Sequence, residues 1–466
     1  MTDAVRAIAA LSSLLGEENV HTDDESRSRF LASWCPVISK ERQRGELETL
    51  LPLAVVLPGN TEEVAALVRL ANAQGTPLRP VGGASNTVGS GGAAPIAVDL
   101  ARLQSVRWDE ESLLVHAGAG CGLGDLEEQL NRHDYTLGHL PQSARLATVG
   151  GAIATNAVGI FSGRYGRQAD LTAAIEAVLP TGEVIRVGGD APGAAAYFDL
   201  RGLLLGTEGA FGIVTGATLQ MRPVPDVRAW CIFRFNTLSD GVDAMRLVYR
   251  SDSRPAAARL FDRAAAPSLP GKPEAVLLLG FEGDELAQTG PYQLAYAVCE
   301  KVGGTAVPPE VGDTWFEEQR QNTGWLSPNA RSGGLADVLA VSVPWSQVKA
   351  VYNAMHRAMS PLVTQLRGQF AHATSNGAAL EFFFEAQAEP GSPEAALDLY
   401  ERIVDTGLSA CQNAGGSVAH HYGVGRTRAE AFIRERGPEQ MNALHLIKCA
   451  LDPNGILPPL PGSSST

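Results

Sequence analysis

Two glycine pairs set among small hydroxyl-bearing residues constrain this chain more than any other feature. They are Pro80-Val81-Gly82-Gly83-Ala84-Ser85-Asn86-Thr87 and, further on, Thr148-Val149-Gly150-Gly151-Ala152-Ile153-Ala154-Thr155-Asn156. The first follows directly on a predicted strand. Its adjacent glycines are expected to take positive φ and expose successive backbone N–H groups, the way an uncharged loop holds a pyrophosphate, with Ser85, Asn86 and Thr87 as side-chain donors. The loop has no lysine at Walker spacing and opens no G-x-G-x-x-G helix, so neither of those nucleotide motifs is present. Either segment alone reads as an ordinary turn. The pair reads as a two-part cradle for a dinucleotide.

The strand before the first loop belongs to a β-α-β unit. The run 53–57 predicts a strand, Thr61 an N-cap followed by Glu62 and Glu63, and Val64, Leu67, Val68 and Leu70 a helical face that Gly75 ends before a strand at 77–81. Strands are expected at 96–100, 113–117 and 214–221, a helix over 124–132, and a hairpin over 173–187 that turns at Pro180-Thr181-Gly182. Arg222-Pro223-Val224-Pro225 breaks the pattern. Beyond it, strands at 229–235, 275–281, 338–343 and 379–385 alternate with helices at 241–249, 292–302 and 345–359, which predicts a mainly antiparallel sheet covered by helices on one face. A long helix over 394–414 leads to Gly415-Gly416, and 442–451 is helical. The expected class is α+β, with a first domain over 1–224, a cap domain over 225–414 and a segment 415–466 that returns to the first domain.

A chain of 466 residues, 45% hydrophobic and 19% charged, suits a large two-domain globular protein. A net charge of −14 argues against nonspecific nucleic-acid or anionic-membrane binding, and still permits a local basic pocket. The six dispersed cysteines, Cys35, Cys121, Cys231, Cys299, Cys411 and Cys449, form no C-x-x-C and read as buried thiols. There is no signal-type N-terminus and no apolar run approaching ~20 residues, so a cytoplasmic protein without an integral membrane segment is expected.

Further landmarks are Leu140-Pro141-Gln142-Ser143, the run Gly206-Thr207-Glu208-Gly209-Ala210-Phe211-Gly212-Ile213-Val214, the block His420-His421-Tyr422-Gly423-Val424-Gly425, and Leu451-Asp452-Pro453-Asn454-Gly455-Ile456-Leu457. In order and spacing the chain resembles, over nearly its whole length, the flavoproteins of the vanillyl-alcohol oxidase and p-cresol methylhydroxylase type. The histidine block and Ser342-Val343-Pro344-Trp345 look toward the alkylglycerone-phosphate synthase and the D-lactate dehydrogenase and glycolate oxidase branches. The resemblance implies two α/β subdomains around FAD and a cap, with the first loop at the pyrophosphate and the second segment along the isoalloxazine. The cofactor residues it implies are Val81, Gly82, Gly83, Ala84, Ser85, Asn86 and Thr87; Pro141, Gln142 and Ser143; Thr148, Val149, Gly150, Gly151, Ala154, Thr155, Asn156 and Gly159; and Glu208, Gly212, Ile213 and Val214. Small residues over 148–156 suit a slim wall beside the ring. Noncovalent FAD is implied, because Ala84 stands where doubly linked members carry histidine and no cysteine lies within 140–160.

His420, His421 and Tyr422 place titratable groups on a glycine turn, able to take an alcohol proton, although a hydrogen-bonded structural histidine pair is the plain alternative. Tyr422 replaces the third histidine of the synthase block. The metal-binding branch carries Glu-His-Gly and Gly-His-x-Gly-Asp-Gly-Asn-x-His; the matching stretch here keeps a single histidine, His372, so no metal is expected, though His372, Glu381 and His421 retain a mixed carboxylate–imidazole set. Glu381 is a catalytic candidate, with an ion-paired role as its alternative. The synthase tyrosine on the strand matching Glu381-Phe382-Phe383-Phe384 is absent. For an anionic substrate the cap offers Arg320, Arg331 and Arg367 as bidentate clamps, with Arg331 preferred, although each also reads as a surface arginine.

Three readings stand at this point. The first is an FAD-dependent oxidase or dehydrogenase moving hydride from a CH–OH carbon of a small, anionic, hydroxy-acid-like substrate to flavin N5. The second is a synthase-like flavin-dependent transferase, and the third a non-catalytic flavin-binding protein. The expected partners are the small-molecule substrate and an electron acceptor, whether oxygen, a quinone or a carrier protein, with a homodimer left open.

Overall fold

The computed structural model describes residues 3–29, 51–89, 95–191, 193, 198–267, 273–321, 334–389 and 392–462. The helix Thr61–Gln74 buries Val64, Leu67 and Val68 and ends at Gly75, whose left-handed φ of 62° returns its N–H to Ala71 and Asn72. Its N-cap is Asn60 rather than Thr61. The Asn60 side chain accepts from Glu63 N at 2.8 Å, which frees the Thr61 hydroxyl to donate to Glu176 at 2.6 Å on a neighbouring sheet.

The chain then enters the strand Leu78–Val81, an edge of a four-stranded sheet. This strand does not pair with Ala54–Val56 directly: Ile96–Asp99 lies between them, parallel to both, and Val20–His21 closes the far side antiparallel. The loop after Val81 therefore leaves the carboxyl end of a parallel strand, where α/β sheets place ligands. A five-stranded antiparallel sheet packs beside it, ordered Val106–Asp109, Leu114–Gly118, Ile213–Gln220, Thr172–Val178 and Val184–Gly188. Its hairpin turns through Gly182 at φ 83°, at the predicted tip. Leu67 and Val68 share one apolar core with Ile175 and Ile213 of this sheet.

The second half builds a seven-stranded sheet in the order Thr305–Val307, Val227–Phe235, Ala275–Gly283, Ala257–Asp262, Gln365–Ala371, Gly377–Gln387 and Gly334–Pro344. Every pairing in it is antiparallel. Three of these strands, Ala257–Asp262, Thr305–Val307 and Gln365–Ala371, escape the sequence reading. Leu277, Leu279, Phe370, Leu380 and Phe382 point to one face, packed on Met245, Val348, Met355 and Ile403 from the helices Leu238–Arg250, Val348–Met359 and Pro393–Asn413. The opposite face is covered as well, which corrects the expectation of helices on one face alone. Trp315 and Phe316 of the helix Glu310–Gln321 pack there on Trp230, Phe261 and Leu278.

The last helix, Ala429–Leu451, breaks at Gly437 (φ 75°) before Pro438 and then reaches the first core. Leu78 N donates to Ile456 O at 2.7 Å, and Ile456 and Leu457 are buried there. Lys448 Nζ holds this junction, donating to Asp452 Oδ2 at 2.6 Å and Ala210 O at 2.7 Å. Asp452 in turn accepts from the N–H groups of Ile456 and Leu457. Cys121, Cys231, Cys299 and Cys411 are buried, whereas Cys449 is exposed on this helix beside His445; Cys35 lies outside the described residues. Among the described residues no helix is long and apolar enough to cross a membrane.

Asp452→Ala leaves Lys448 buried without its counter-charge and is expected to cost about 3 kcal/mol of stability. Urea unfolding followed by tryptophan fluorescence checks this, and an unchanged midpoint would show that the junction is not held by the pair.

Candidate active site

One cleft runs between the end of the Leu78–Val81 strand and the seven-stranded sheet. Val81, Gly82, Gly83, Ala84, Ser85, Asn86 and Thr87 all line it, as do Pro141, Gln142, Ser143, Thr148, Gly150, Gly151, Ala154, Thr155, Glu208, Gly212 and Val214. Four of the expected cofactor residues do not. Val149 and Ile213 are buried in the first core, where a strand or helix turns alternate side chains inward. Asn156 ends the helix Val149–Thr155 at φ 50°, its side chain accepting from Ala169 N at 3.0 Å. Gly159 lets the chain cross the backbone of His139 and Leu140, which a Cβ would strike.

The first loop works by a different geometry from the one its glycines suggest. Neither Gly82 nor Gly83 takes positive φ; Ala84 does, at 50°. A Cβ on Gly82 would meet the Thr148 hydroxyl, and one on Gly83 would run into the Leu146 carbonyl. The two segments are therefore interlocked backbone against backbone. Among the described residues, the N–H groups of Gly83, Ala84, Ser85 and Thr87 donate to no backbone carbonyl, and all four residues line the cleft. Across from them, Thr148 caps its helix by accepting from Gly151 N at 3.2 Å, and Gly150 packs where a Cβ would sit 2.9 Å from that of Ala119.

At the other end of the cleft the seven-stranded sheet presents charge. Along Ala257–Asp262, Ala258 and Leu260 face the helices while Arg259 faces the cleft, 3% exposed. Gln369 and Glu381 are cross-strand partners, and Gln369 Nε2 donates to Glu381 Oε2 at 2.5 Å. Burial raises the Glu381 carboxyl above its ordinary range, a shift that Arg259 and the hydrogen bonds from Gln369 and Tyr422 oppose. Burial also holds the Tyr422 phenol well above its usual range, with Glu381 adding to the effect.

His421 and His372 line the same end, their rings 4.9 Å apart and nearly perpendicular at 84°. Burial holds both imidazoles well below the usual histidine range, and Arg259 deepens the shift, so both are neutral at neutral pH. The donor atoms of His372, Glu381 and His421 lie within 4.8 Å of one another. His420 stacks on His421 at 3.7 Å but does not line the cleft, and neither of its ring nitrogens finds a protein partner among the described residues.

The clamp arginines fall elsewhere. Arg320 pairs with Glu317 at 3.9 Å and Arg367 with Glu385 at 3.4 Å, neither lining the cleft, and Arg331 lies outside the described residues. Among the described residues Arg259 lines the cleft, and sequence reasoning passed over it because its strand was missed. The signal available was one charge inside the otherwise apolar run Ala256-Ala257-Ala258-Arg259-Leu260-Phe261. Glu208 departs from expectation too: its carboxylate accepts from Val424 N at 2.5 Å and Gly425 N at 3.2 Å, fastening the turn that carries His421 and Tyr422.

The family of FAD linked oxidases, described by their C-terminal domain, matches residues 224–460, and the FAD binding domain matches residues 52–188. The chain belongs to the FAD-linked oxidases. The uncharacterized FAD-linked oxidoreductase YgcU of Escherichia coli K12 is 28% identical over 87% of this chain and 88% of its own. An alkyldihydroxyacetonephosphate synthase of Caenorhabditis elegans is 27% identical over 87% and 75%, and a mitochondrial D-lactate dehydrogenase (cytochrome) of Arabidopsis thaliana 26% over 88% and 73%. Among solved structures, p-cresol methylhydroxylase with substrate bound superposes with a TM-score of 0.81 at 20% identity, covering 98% of this chain and 96% of that one.

FAD is the cofactor of this FAD-linked oxidase, and the cleft fits it. The N–H groups of Gly83, Ala84, Ser85 and Thr87, which donate to no backbone carbonyl, suit a pyrophosphate, and Gly150, Gly151 and Ala154 leave a wall without bulk. Gly83→Val is expected to empty the site, because on this backbone a Cβ at 83 runs into the Leu146 carbonyl and the loop would have to move. The check is the flavin-to-protein ratio after gel filtration; full occupancy would mean that the loop lies away from the flavin.

Proposed function

We propose that this FAD-linked oxidase oxidises the CH–OH carbon of a small anionic, hydroxy-acid-like substrate. The observation that carries the reading is the meeting, at one end of the cleft, of a buried guanidinium on Arg259 with the neutral imidazole of His421 and the phenol of Tyr422. FAD, when bound, supplies the two-electron acceptor. Gly83, Ala84, Ser85 and Thr87 would hold its pyrophosphate, and the small residues of 150–154 would leave room for its ring.

Arg259 holds the substrate carboxylate through paired N–H donors, backed by Trp315 at 5.9 Å from its ring centre. The His421 imidazole takes the hydroxyl proton as the C–H bond breaks, and the Tyr422 phenol, which burial keeps protonated, turns its one hydrogen bond from Glu381 to the substrate hydroxyl and orients it. His372 packs against His421 and limits how its ring can turn.

Anaerobic addition of 2-hydroxy acids is expected to bleach the flavin absorbance. An adduct spectrum without reduction would favour synthase-like transfer, and silence across a broad panel a non-catalytic flavin protein. His421→Ala and Tyr422→Phe are each expected to slow flavin reduction by ~10²-fold or more with FAD retained. Native rates in both variants would sink the assignment.

Because burial lowers the His421 pKa, its base form persists below the pH at which an exposed histidine protonates and is lost only further into acid. The acid limb of the reduction rate should therefore fall with a midpoint below 6.5, the ordinary histidine value. A midpoint at or above it, measured by stopped flow, would point to a different base. Acid precipitation should release all the flavin, and prolonged chelation should leave turnover unchanged.

A further inference from the structure

We infer that the substrate anion enters this site together with one proton, which Glu381 takes up. The inference rests on the anionic-substrate reading above and concerns the charge balance of the same site. Arg259 and Glu381 stand on one face of the seven-stranded sheet, 3% and 2% exposed. One guanidinium there faces one carboxylate. A substrate carboxylate placed on Arg259 makes two negative charges against one positive beside two deeply buried side chains, where an unbalanced charge is costly. Protonating Glu381 restores neutrality, with one proton moving from solvent to its carboxylate and no other bond changed.

The groups around Glu381 leave this as the available balance. From the strand Gln365–Ala371 comes Gln369, an uncharged amide that donates to the carboxylate. From the strand Gly334–Pro344 the residue opposite is Ala340, and the charge nearest in register, Asp337, is countered by Arg428, which also donates to the Ala340 carbonyl. From the turn come His421 and Tyr422, and from the loop after Ala371 comes His372, all uncharged at neutral pH. Arg167 acts on the histidines from an exposed position, where solvent screens it. Glu208, the other carboxylate lining the cleft, is engaged by Val424 and Gly425, and Arg79 lies on the strand that feeds the glycine loop. Glu381 is also the carboxylate that burial already biases toward its neutral form.

The sign follows. A bound anion raises the Glu381 pKa further, so affinity is highest where the carboxyl is already protonated and falls by about tenfold per pH unit above its midpoint in the free enzyme.

The test uses the FAD-loaded protein and 2-hydroxy-2-methylpropanoate, an α-hydroxy carboxylate with no α-hydrogen and hence no hydride to give. Titration calorimetry in buffers of different ionisation enthalpy is expected to show uptake of about one proton per anion, with Kd rising about tenfold per pH unit on the alkaline side. Glu381→Gln, with its flavin spectrum as the check on folding, should bind without uptake, independently of pH, and more tightly than the native chain at alkaline pH. Binding to the native protein with no net uptake overturns the linkage and leaves the anionic-substrate reading standing, as does uptake that persists in Glu381→Gln. No binding of this or other small carboxylates overturns that reading and the linkage with it. The native-protein series decides the question even if the variant does not fold.

Discussion

The site depends on one carboxylate. Glu208, held at φ 53°, accepts from the N–H groups of Val424 and Gly425 and so joins the loop beside the first core to the turn that carries His421 and Tyr422. A Cβ at 423 would come within 2.7 Å of Glu208 Oε1, and φ there is 89°, so glycine is required twice over at that point. Without this fastening the histidine turn, which comes from the far end of the chain, has no fixed position relative to the glycine wall. Charge-assisted bonds of this kind are short and directional, which suits them to holding groups in register.

Around that fastening, burial sets the chemistry. The same low-dielectric surroundings keep His372 and His421 neutral and Tyr422 protonated, and raise the Glu381 carboxyl above its ordinary range. Arg259 is the counterweight, and its position follows from strand alternation. Leu260, Phe370, Leu380 and Phe382 turn to the helices, so Arg259, Gln369 and Glu381 must turn the other way, toward the cleft. A sheet apolar on one face, and on the other carrying Arg259 and Glu381 beside the apolar cluster of Trp230, Phe261 and Trp315, makes a wall with its few charges at fixed positions.

The two glycine segments were legible as a cradle, yet the physical reason was different from the one read. Their residues line the cleft because Gly82 makes room for the Thr148 hydroxyl and Gly83 for the Leu146 carbonyl, not because they adopt left-handed φ. A sequence shows where a side chain is missing; which neighbour needs the space depends on a contact between residues far apart in the chain. The same limit explains Arg259. Its strand is short and uniformly buried, without the two-residue alternation of polarity that marks half-exposed strands, so its one charge read as noise. Arg320 and Arg367 have the right chemistry for a clamp and are occupied by nearby glutamates.

Local chemistry in the sequence determined the helix stop at Gly75, the hairpin at Gly182, the strand that feeds the first loop and the presence of a titratable block at 420–422. These are set by backbone sterics and by neighbours within a few residues, which act wherever the segment ends up. The tertiary structure alone decided that Glu208 fastens a turn, that His421 and not His420 reaches the cleft, and that Arg259 and Glu381 share one buried space. Each of those depends on which strands pair and in what register. A register shift of one residue would turn Arg259 and Glu381 away from the cleft, and the cooperative packing of the whole sheet prevents it.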